Sequence, residues 1–375
     1  MALPWQLPGY EREHHAVPLG GGWWRGPAAR TSTCERRLRE LGVLLGPELQ
    51  DGACGYRLLP EFEGPGARDA AGDPDQPETR AHWIAARLAA ALAAAGTPPP
   101  PPQFMAVLNL TPDSFSDGGE LLAPGAVEAA AAARVAEGAR WLDLGAESTR
   151  PGATAVAVEV QLQRLLPALR AVRGCGALVS VDTRSAAVAA ACLDSGAAMI
   201  NDVSGLEDPD MGPLLARHGC PVVLLHMRGT PADMAQRAGY RHLLGAVADE
   251  LAARVHRALA AGIRPAQIYL DPGIGFAKTA QHSLELIGRL GALRALGFPL
   301  LVGPSRKSFL GAVLGGRPPR ERDGGSAGAA AVCAAQGAAI LRLHRGGAVW
   351  DAVLVAAAAA AAARAEVVPR TEVAA

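Results

Sequence analysis

Arg342 and His344 stand two residues apart in the run ILRLH (340–344), so in a strand they share one face while Leu341 and Leu343 share the other. The leucines can pack on helices while the two cation-capable groups project into a common space. Lys307 and Asn109 follow other apolar runs in the same way. An arginine, a lysine and a histidine beside an asparagine suit the oxygens of a phosphate, with Mg2+ as the accompanying ion. Two carboxylates, Asp182 and Asp271, end two further apolar runs, and Ser180 shares the face of Asp182. Three roles are open to this pair: holding a second metal, serving as acid and base, or accepting the N–H edge of a nitrogen heterocycle.

Each position has a bland reading, since Asp and Asn cap helices and initiate turns. The set as a whole does not. Eight apolar runs end in polar groups: Asn109; Glu147 to Arg150; Asp182; Asn201 with Asp202; His226; Asp271; Ser305 to Lys307; and Arg342 with His344. Polar groups converging from every strand onto one face are what a binding pocket needs. Two connections, TPDSFSDGG (111–119) and STRPGA (148–153), are too polar and glycine-containing to be mere connectors. Phe115 in the first and Arg150 in the second mark them as lids over a reaction that must exclude water.

The elements that must carry these groups alternate regularly. Strands are expected over 104–110, 141–145, 178–182, 199–202, 221–227, 268–271, 300–302 and 340–344. Helices are expected over 124–137, 158–172, 185–194, 209–217, 243–261, 283–296, 327–335 and 349–363. Eight βα units in about 260 residues is the length and rhythm of a (β/α)8 TIM barrel, whose active site lies at the strand ends. A doubly wound open sheet is the alternative, but no GxGxxG follows the first strand. The barrel domain is therefore placed at 103–375. The proline run 98–102 is a stiff linker, and residues 1–97 form an N-terminal extension of unknown role. Within that extension a short helix is expected toward Leu41, a loop over 64–77 and a helix over 81–95.

Composition narrows the class of protein. Half the residues are hydrophobic and 19% are charged, enough for a large core. Thirty-six basic residues balance thirty-six acidic ones, which argues against nucleic-acid or membrane-surface partners and for a focused anion site. Six scattered cysteines without a CxxC pair read as reduced thiols and a cytoplasmic address. The first fifteen residues carry prolines and charges where a signal peptide needs an apolar stretch. The alanine-rich segment 352–363 is too short and too weakly apolar to span a bilayer.

Taken together, the loop and strand-end strings resemble the dihydropteroate synthase family. LNLTPDSFSDGG (108–119) and ESTRPGA (147–153) look like its first two signatures. The agreement continues through SVDT (180–183), INDV (200–203), LHM (225–227), DPGIGF (271–276), SRKSF (305–309) and RLH (342–344). The resemblance spans 104 to about 360 on all eight strands. It departs after His344, where Arg345-Gly346 replaces the usual Asp-Val.

What the resemblance implies is a homodimeric, pterin-binding barrel that joins 6-hydroxymethyl-7,8-dihydropterin diphosphate to 4-aminobenzoate and releases pyrophosphate. Asn109 would hold Mg2+, and Thr149, Arg342 and His344 would complete the anion pocket. Asp182, Asn201, Asp271 and Lys307 would read the pterin edge. Phe276, Ser308 and the two loops, with Phe115 and Arg150, would shape the aminobenzoate site. Arg342, His344 and Lys307 are then the expected catalytic groups, and sulfonamides the expected inhibitors. Two rivals share the pterin pocket: a binding paralogue without synthase activity and a methyltetrahydrofolate:corrinoid methyltransferase.

Overall fold

The computed structural model describes residues 17–20, 23–26, 43–48, 54–58, 101–111, 125–150 and 152–365. The expected helices toward Leu41 and over 81–95, the loop 64–77, most of the proline run and Phe115 lie outside them. The N-terminal extension contributes four short strands, β1 (Val17–Gly20), β2 (Trp23–Gly26), β3 (Val43–Glu48) and β4 (Cys54–Leu58). They pair antiparallel in the order β1-β2-β4-β3. This sheet was not expected from the sequence, whose alternation in these four- to six-residue runs is too brief to read.

From residue 103 the chain alternates as anticipated. The strands are β5 (Gln103–Asn109), β6 (Trp141–Gly145), β7 (Leu178–Asp182), β8 (Met199–Asp202), β9 (Val222–Leu225), β10 (Ile268–Asp271), β11 (Leu301–Val302) and β12 (Ile340–Leu343). The helices between and after them are α1 (Ala126–Ala136), α2 (Val158–Ala171), α3 (Ala186–Asp194), α4 (Met211–His218), α5 (Leu243–Ala260), α6 (Ala280–Gly288), α7 (Ser308–Val313), α8 (Asp323–Ala335) and α9 (Ala348–Ala365). All eight barrel strands run parallel in the order β10-β9-β8-β7-β6-β5-β12-β11. A bridge between Leu270 and Leu300 joins the two ends of that order and closes the ring. The fold is a (β/α)8 barrel.

The two faces of each strand do different work. Outward residues such as Phe104, Leu142, Val181, Leu224 and Leu341 join one continuous core with the helices. Inward residues stack in layers, as the barrel geometry requires. Met105, Trp141, Met199, Val223, Leu301 and Ile340 plug the lower end. Toward the strand C-termini the filling turns polar: Val107, Asp143 and Ser180 are register neighbours, and above them so are Asn109, Gly145, Asp182 and Asn201. The apolar plug closes the lower end of the barrel, so polar chemistry is confined to the upper mouth.

Two helical stretches differ from expectation. The expected helix over 283–296 is split into α6 and a 3-10 segment, Leu290–Leu296. Gln336 reaches across to divide it, donating to the Ile287 and Gly288 carbonyls and accepting the Gly291 N–H, each at 2.8 Å. The short helix α7 had no periodic run long enough to signal it.

Candidate active site

The strand C-termini surround a cleft of about 500 Å³. Nine of the residues singled out from the sequence line it: Asn109 on β5, Thr149 and Arg150 after β6, Asp182 on β7, Phe276 after β10, Lys307 and Ser308 at the start of α7, and Arg342 and His344 at the end of β12. Asn201 and Asp271, only 2% and 4% exposed, belong to the neighbouring strand ends without contributing to the cleft wall. Phe115 falls outside the described residues.

Arg342 is the best-braced cation. Its Nε donates to Asp143 Oδ2 at 2.6 Å and its Nη2 to Asp182 Oδ2 at 3.0 Å. Asp143 is fully buried and also accepts from Asn201 Nδ2 at 3.3 Å. Both carboxylates face inward from neighbouring strands, so the guanidinium cannot swing without leaving a buried charge unpaired, an expensive arrangement. Burial pushes the Asp182 carboxyl up; Arg342 opposes that rise, while Asp143 and Asp202 add to it. Asp143 Oδ1, Ser180 Oγ and Asn201 Oδ1 are buried without a partner among the described residues. Such inward acceptors await donors, and with Asp182 beside them they suit the N–H-rich edge of a heterocycle better than a second metal.

Lys307 bridges the two halves of the cleft. Its Nζ donates to the Ile274 carbonyl and lies 4.6 Å from the centre of the Phe276 ring. Burial pushes its ammonium down to about 8, against the attraction of Asp271. Asp271 accepts the Gly273 N–H at 2.7 Å, and burial pushes its carboxyl up. Gly273 is required here: φ is +68°, and a Cβ would stand 1.9 Å from the His226 carbonyl oxygen. That close passage seats the 272–279 loop, with Phe276, over the barrel mouth.

His344 behaves differently from the cation-capable group anticipated. Burial, with Arg306, Arg342, Arg150 and Lys307 around it, holds its imidazole well below the usual range, so it is neutral at pH 7. Ser305 Oγ takes the His344 backbone N–H at 3.3 Å and lies 3.0 Å from Nδ1. With the hydroxyl hydrogen on Nδ1, the ring proton sits on Nε2, and His344 offers a neutral N–H donor. The loop carrying Ser305 and Lys307 is pinned from α8: Arg306 makes a two-pronged pair with Asp323 (2.7 and 2.8 Å), and Arg322 donates to the Arg306 and Lys307 carbonyls. Across the cleft, Glu147 accepts from Arg184 through two bonds of 3.1 Å and from the Val156 N–H at 2.9 Å. It therefore ties both ends of the 148–153 loop.

The Asn109 amide lines the cleft and has no hydrogen-bond partner among the described residues. Mg2+ commonly takes one or two protein oxygens and completes its shell with water and substrate phosphates. A single amide oxygen on the same cleft as Arg342 and His344 fits that demand.

Residues 105–344 match the family model described as pterin binding enzyme. The chain belongs to the pterin-binding enzyme family. A dihydropteroate synthase of Mycobacterium leprae is 44% identical over 260 residues, an alignment covering 68% of this chain and 92% of that one. The Yersinia pestis dihydropteroate synthase, solved with a sulfonamide drug, superposes with a TM-score of 0.66 at 38% identity, covering 70% of this chain and 94% of its own. The Thermus thermophilus enzyme, solved with 4-aminobenzoate, has a TM-score of 0.60 at 42% identity, with coverage of 69% and 93%.

For this pterin-binding enzyme, sequence reasoning missed Asp143, the second anchor of Arg342. The signal was present: a lone charge inside the apolar run WLDLG (141–145), on the same strand face as Gly145. It also missed Arg322 and Asp323, which no strand-end rule reaches. Arg345 turns away from the cleft, toward a carboxylate at the end of another helix. Its Nη1 lies 3.9 Å from Glu137 at the end of α1, and the side chain is 52% exposed. Glu137 is drawn there by the Gly346 N–H (2.7 Å) and Arg134 (2.8 Å).

Proposed function

We propose that this pterin-binding enzyme acts as a dihydropteroate synthase, condensing 6-hydroxymethyl-7,8-dihydropterin diphosphate with 4-aminobenzoate to give 7,8-dihydropteroate and pyrophosphate. The observation that carries this reading is Arg342, braced by two buried carboxylates between the inward polar layer and the cleft mouth. One end of the cleft takes a donor-rich ring, and the other takes an anion.

In the reaction the arylamine nitrogen attacks the pterin methylene, the C–O bond to the diphosphate breaks with its electron pair going to the leaving oxygen, and the amine proton passes to solvent. The arylamine is neutral at pH 7, so no strong general base is needed. Asp182 accepts the pterin's N–H groups from the cleft wall, Asn201 and Asp271 are reached where the ring enters the inward polar layer behind it, and the nearby carboxylates stabilise positive charge developing at the methylene. Arg342 and the His344 N–H meet the departing diphosphate, with Thr149 beside them. Lys307, over Phe276, links the pterin end to the aminobenzoate end. Ser308 and Arg150 border the latter. Mg2+ held through Asn109 supplies charge neutralisation to the diphosphate when bound.

We also read the chain as a cytoplasmic homodimer; Val332 on α8 and Leu354 and Val355 on α9 are exposed apolar side chains on neighbouring helices. No described helix is long and apolar enough to cross a membrane. Light scattering should then give twice the 38.5 kDa chain mass. The deciding experiment incubates purified protein with both substrates and Mg2+ and follows dihydropteroate and pyrophosphate together. Tight pterin diphosphate binding without pyrophosphate release would favour a binding paralogue instead. Transfer of a methyl group from methyltetrahydrofolate would favour the methyltransferase.

A further inference from the structure

Behind β9 and β10 a line of hydrogen bonds runs from α5 to the cleft wall, and the chemistry above does not use it. Glu250 on α5 accepts from Arg228 at 2.5 and 2.8 Å and lies 3.0 Å from His226 Nε2. His226, whose side chain is fully buried, places Nδ1 2.8 Å from Lys278 Nζ. Lys278 Nζ in turn donates to the Phe276 carbonyl at 3.0 Å. The direction of each hydrogen follows from the groups. Burial raises the Glu250 carboxyl, but hydrogen bonds from His226 and Arg228 outweigh it and hold it at about 2, so this carboxylate only accepts. The ring proton therefore sits on Nε2, and Nδ1 accepts from Lys278, whose ammonium burial pushes well below its usual range. Burial and the Lys278 charge push the imidazole down to about 3, which keeps that tautomer neutral.

The loop this line reaches needs holding. Ala277 adopts φ +47°, a left-handed conformation strained for a non-glycine residue, which persists only where its surroundings impose it. Lys307 grips the loop from the cleft side at the Ile274 carbonyl, and Tyr240 donates to the Ala277 carbonyl at 3.0 Å. Lys278 grips it from behind, at the residue whose ring faces the cleft.

We propose that Lys278, backed by His226 and Glu250, is a positioning residue that sets the Phe276 wall against which the arylamine substrate lies. This rests on assigning that end of the cleft to 4-aminobenzoate.

Lys278→Met keeps the stem and removes the donors. Hydrogen exchange at the Gly273 and Phe276 amides, both hydrogen-bonded in the seated loop, should quicken about tenfold or more, with α2 unchanged, since a lost charged hydrogen bond is worth roughly one decade. In steady-state kinetics the KM for 4-aminobenzoate should rise about five- to tenfold while that for the pterin diphosphate stays within about twofold. Glu250→Gln, at a partly exposed carboxylate, should show the same pattern at smaller amplitude and serves if Lys278→Met does not fold. Unchanged loop exchange in the folded variants, or equal rises in both KM values, would overturn the proposal. Wild-type protein that forms no dihydropteroate would overturn the functional assignment instead, and accelerated loop exchange would still support the clamp.

Discussion

Replacing Asp143 by Asn tests how Arg342 is held. The carboxylate is fully buried, 2.6 Å from the guanidinium Nε, and its second contact is Asn201 Nδ2. The amide keeps the shape and one acceptor oxygen, and the unpartnered Asn201 Oδ1 can receive its new N–H donors after a side-chain flip. Gross collapse is therefore not expected. What disappears is one charge-assisted hydrogen bond, worth about 1.5–3 kcal/mol. Part of that loss is offset, because Asp182 no longer faces the Asp143 charge that helps push its carboxyl up. With Asp182 left as its charged hydrogen-bond partner among the described residues, Arg342 should tilt toward it and away from the anion it serves. Dihydropteroate formation (kcat/KM) should fall about 10- to 100-fold, the kinetic equivalent of roughly 1.5–3 kcal/mol. Thermal unfolding should drop by only a few degrees, on the order of 2–4 °C per kcal/mol for a barrel of this size. The decisive assay is a double-mutant cycle with Arg342→Lys, in which a coupling of about 1 kcal/mol or more is expected. Additivity within about 0.5 kcal/mol would show that Asp143 does not act through Arg342.

Gly273→Ala should be far more damaging to folding, because its Cβ would meet backbone at 1.9 Å; a thermal melt matching wild type would contradict the close passage described. Lys307 loses its proton as pH rises through about 8 instead of near 10.5, so calorimetric affinity for the pterin diphosphate should weaken from pH 7 to 9.5 and a flat profile would count against its role. Across the same window the unfolded chain binds more protons at this site than the folded one, so Lys307 by itself makes stability rise with pH. Arg345→Ala, which removes a 3.9 Å pair at an exposed side chain, should change turnover by a few-fold at most, consistent with about 1 kcal/mol or less for such pairs. Arg342→Ala should cost on the order of a hundredfold or more, as removing a transition-state charge stabiliser does, and equal losses in the two variants would make Arg345 a diphosphate ligand.

Much of this protein is written locally. Strands of four to seven residues bounded by glycine and polar turns, alternating with longer amphipathic stretches, carry enough periodicity to place the barrel strands β6, β7, β8 and β10 to the residue. Period-two alternation also assigns Arg342 and Asp182 to the inner face, because Leu341 and Val181 must meet the helices. Local pattern has no access to contacts made across the ring. Arg342 and Asp143 are 199 residues apart in the chain, and only closure of the barrel brings them to 2.6 Å. The same closure makes His344 neutral, since its state depends on burial and on cations from two other segments. Gln336 divides a helix 45 to 49 residues away for the same reason. Residue type and spacing determined which groups face the cleft; their partners, their protonation and the loops they hold in place were decided by tertiary structure, because electrostatic and hydrogen-bond energies depend on distances through space that sequence separation does not encode.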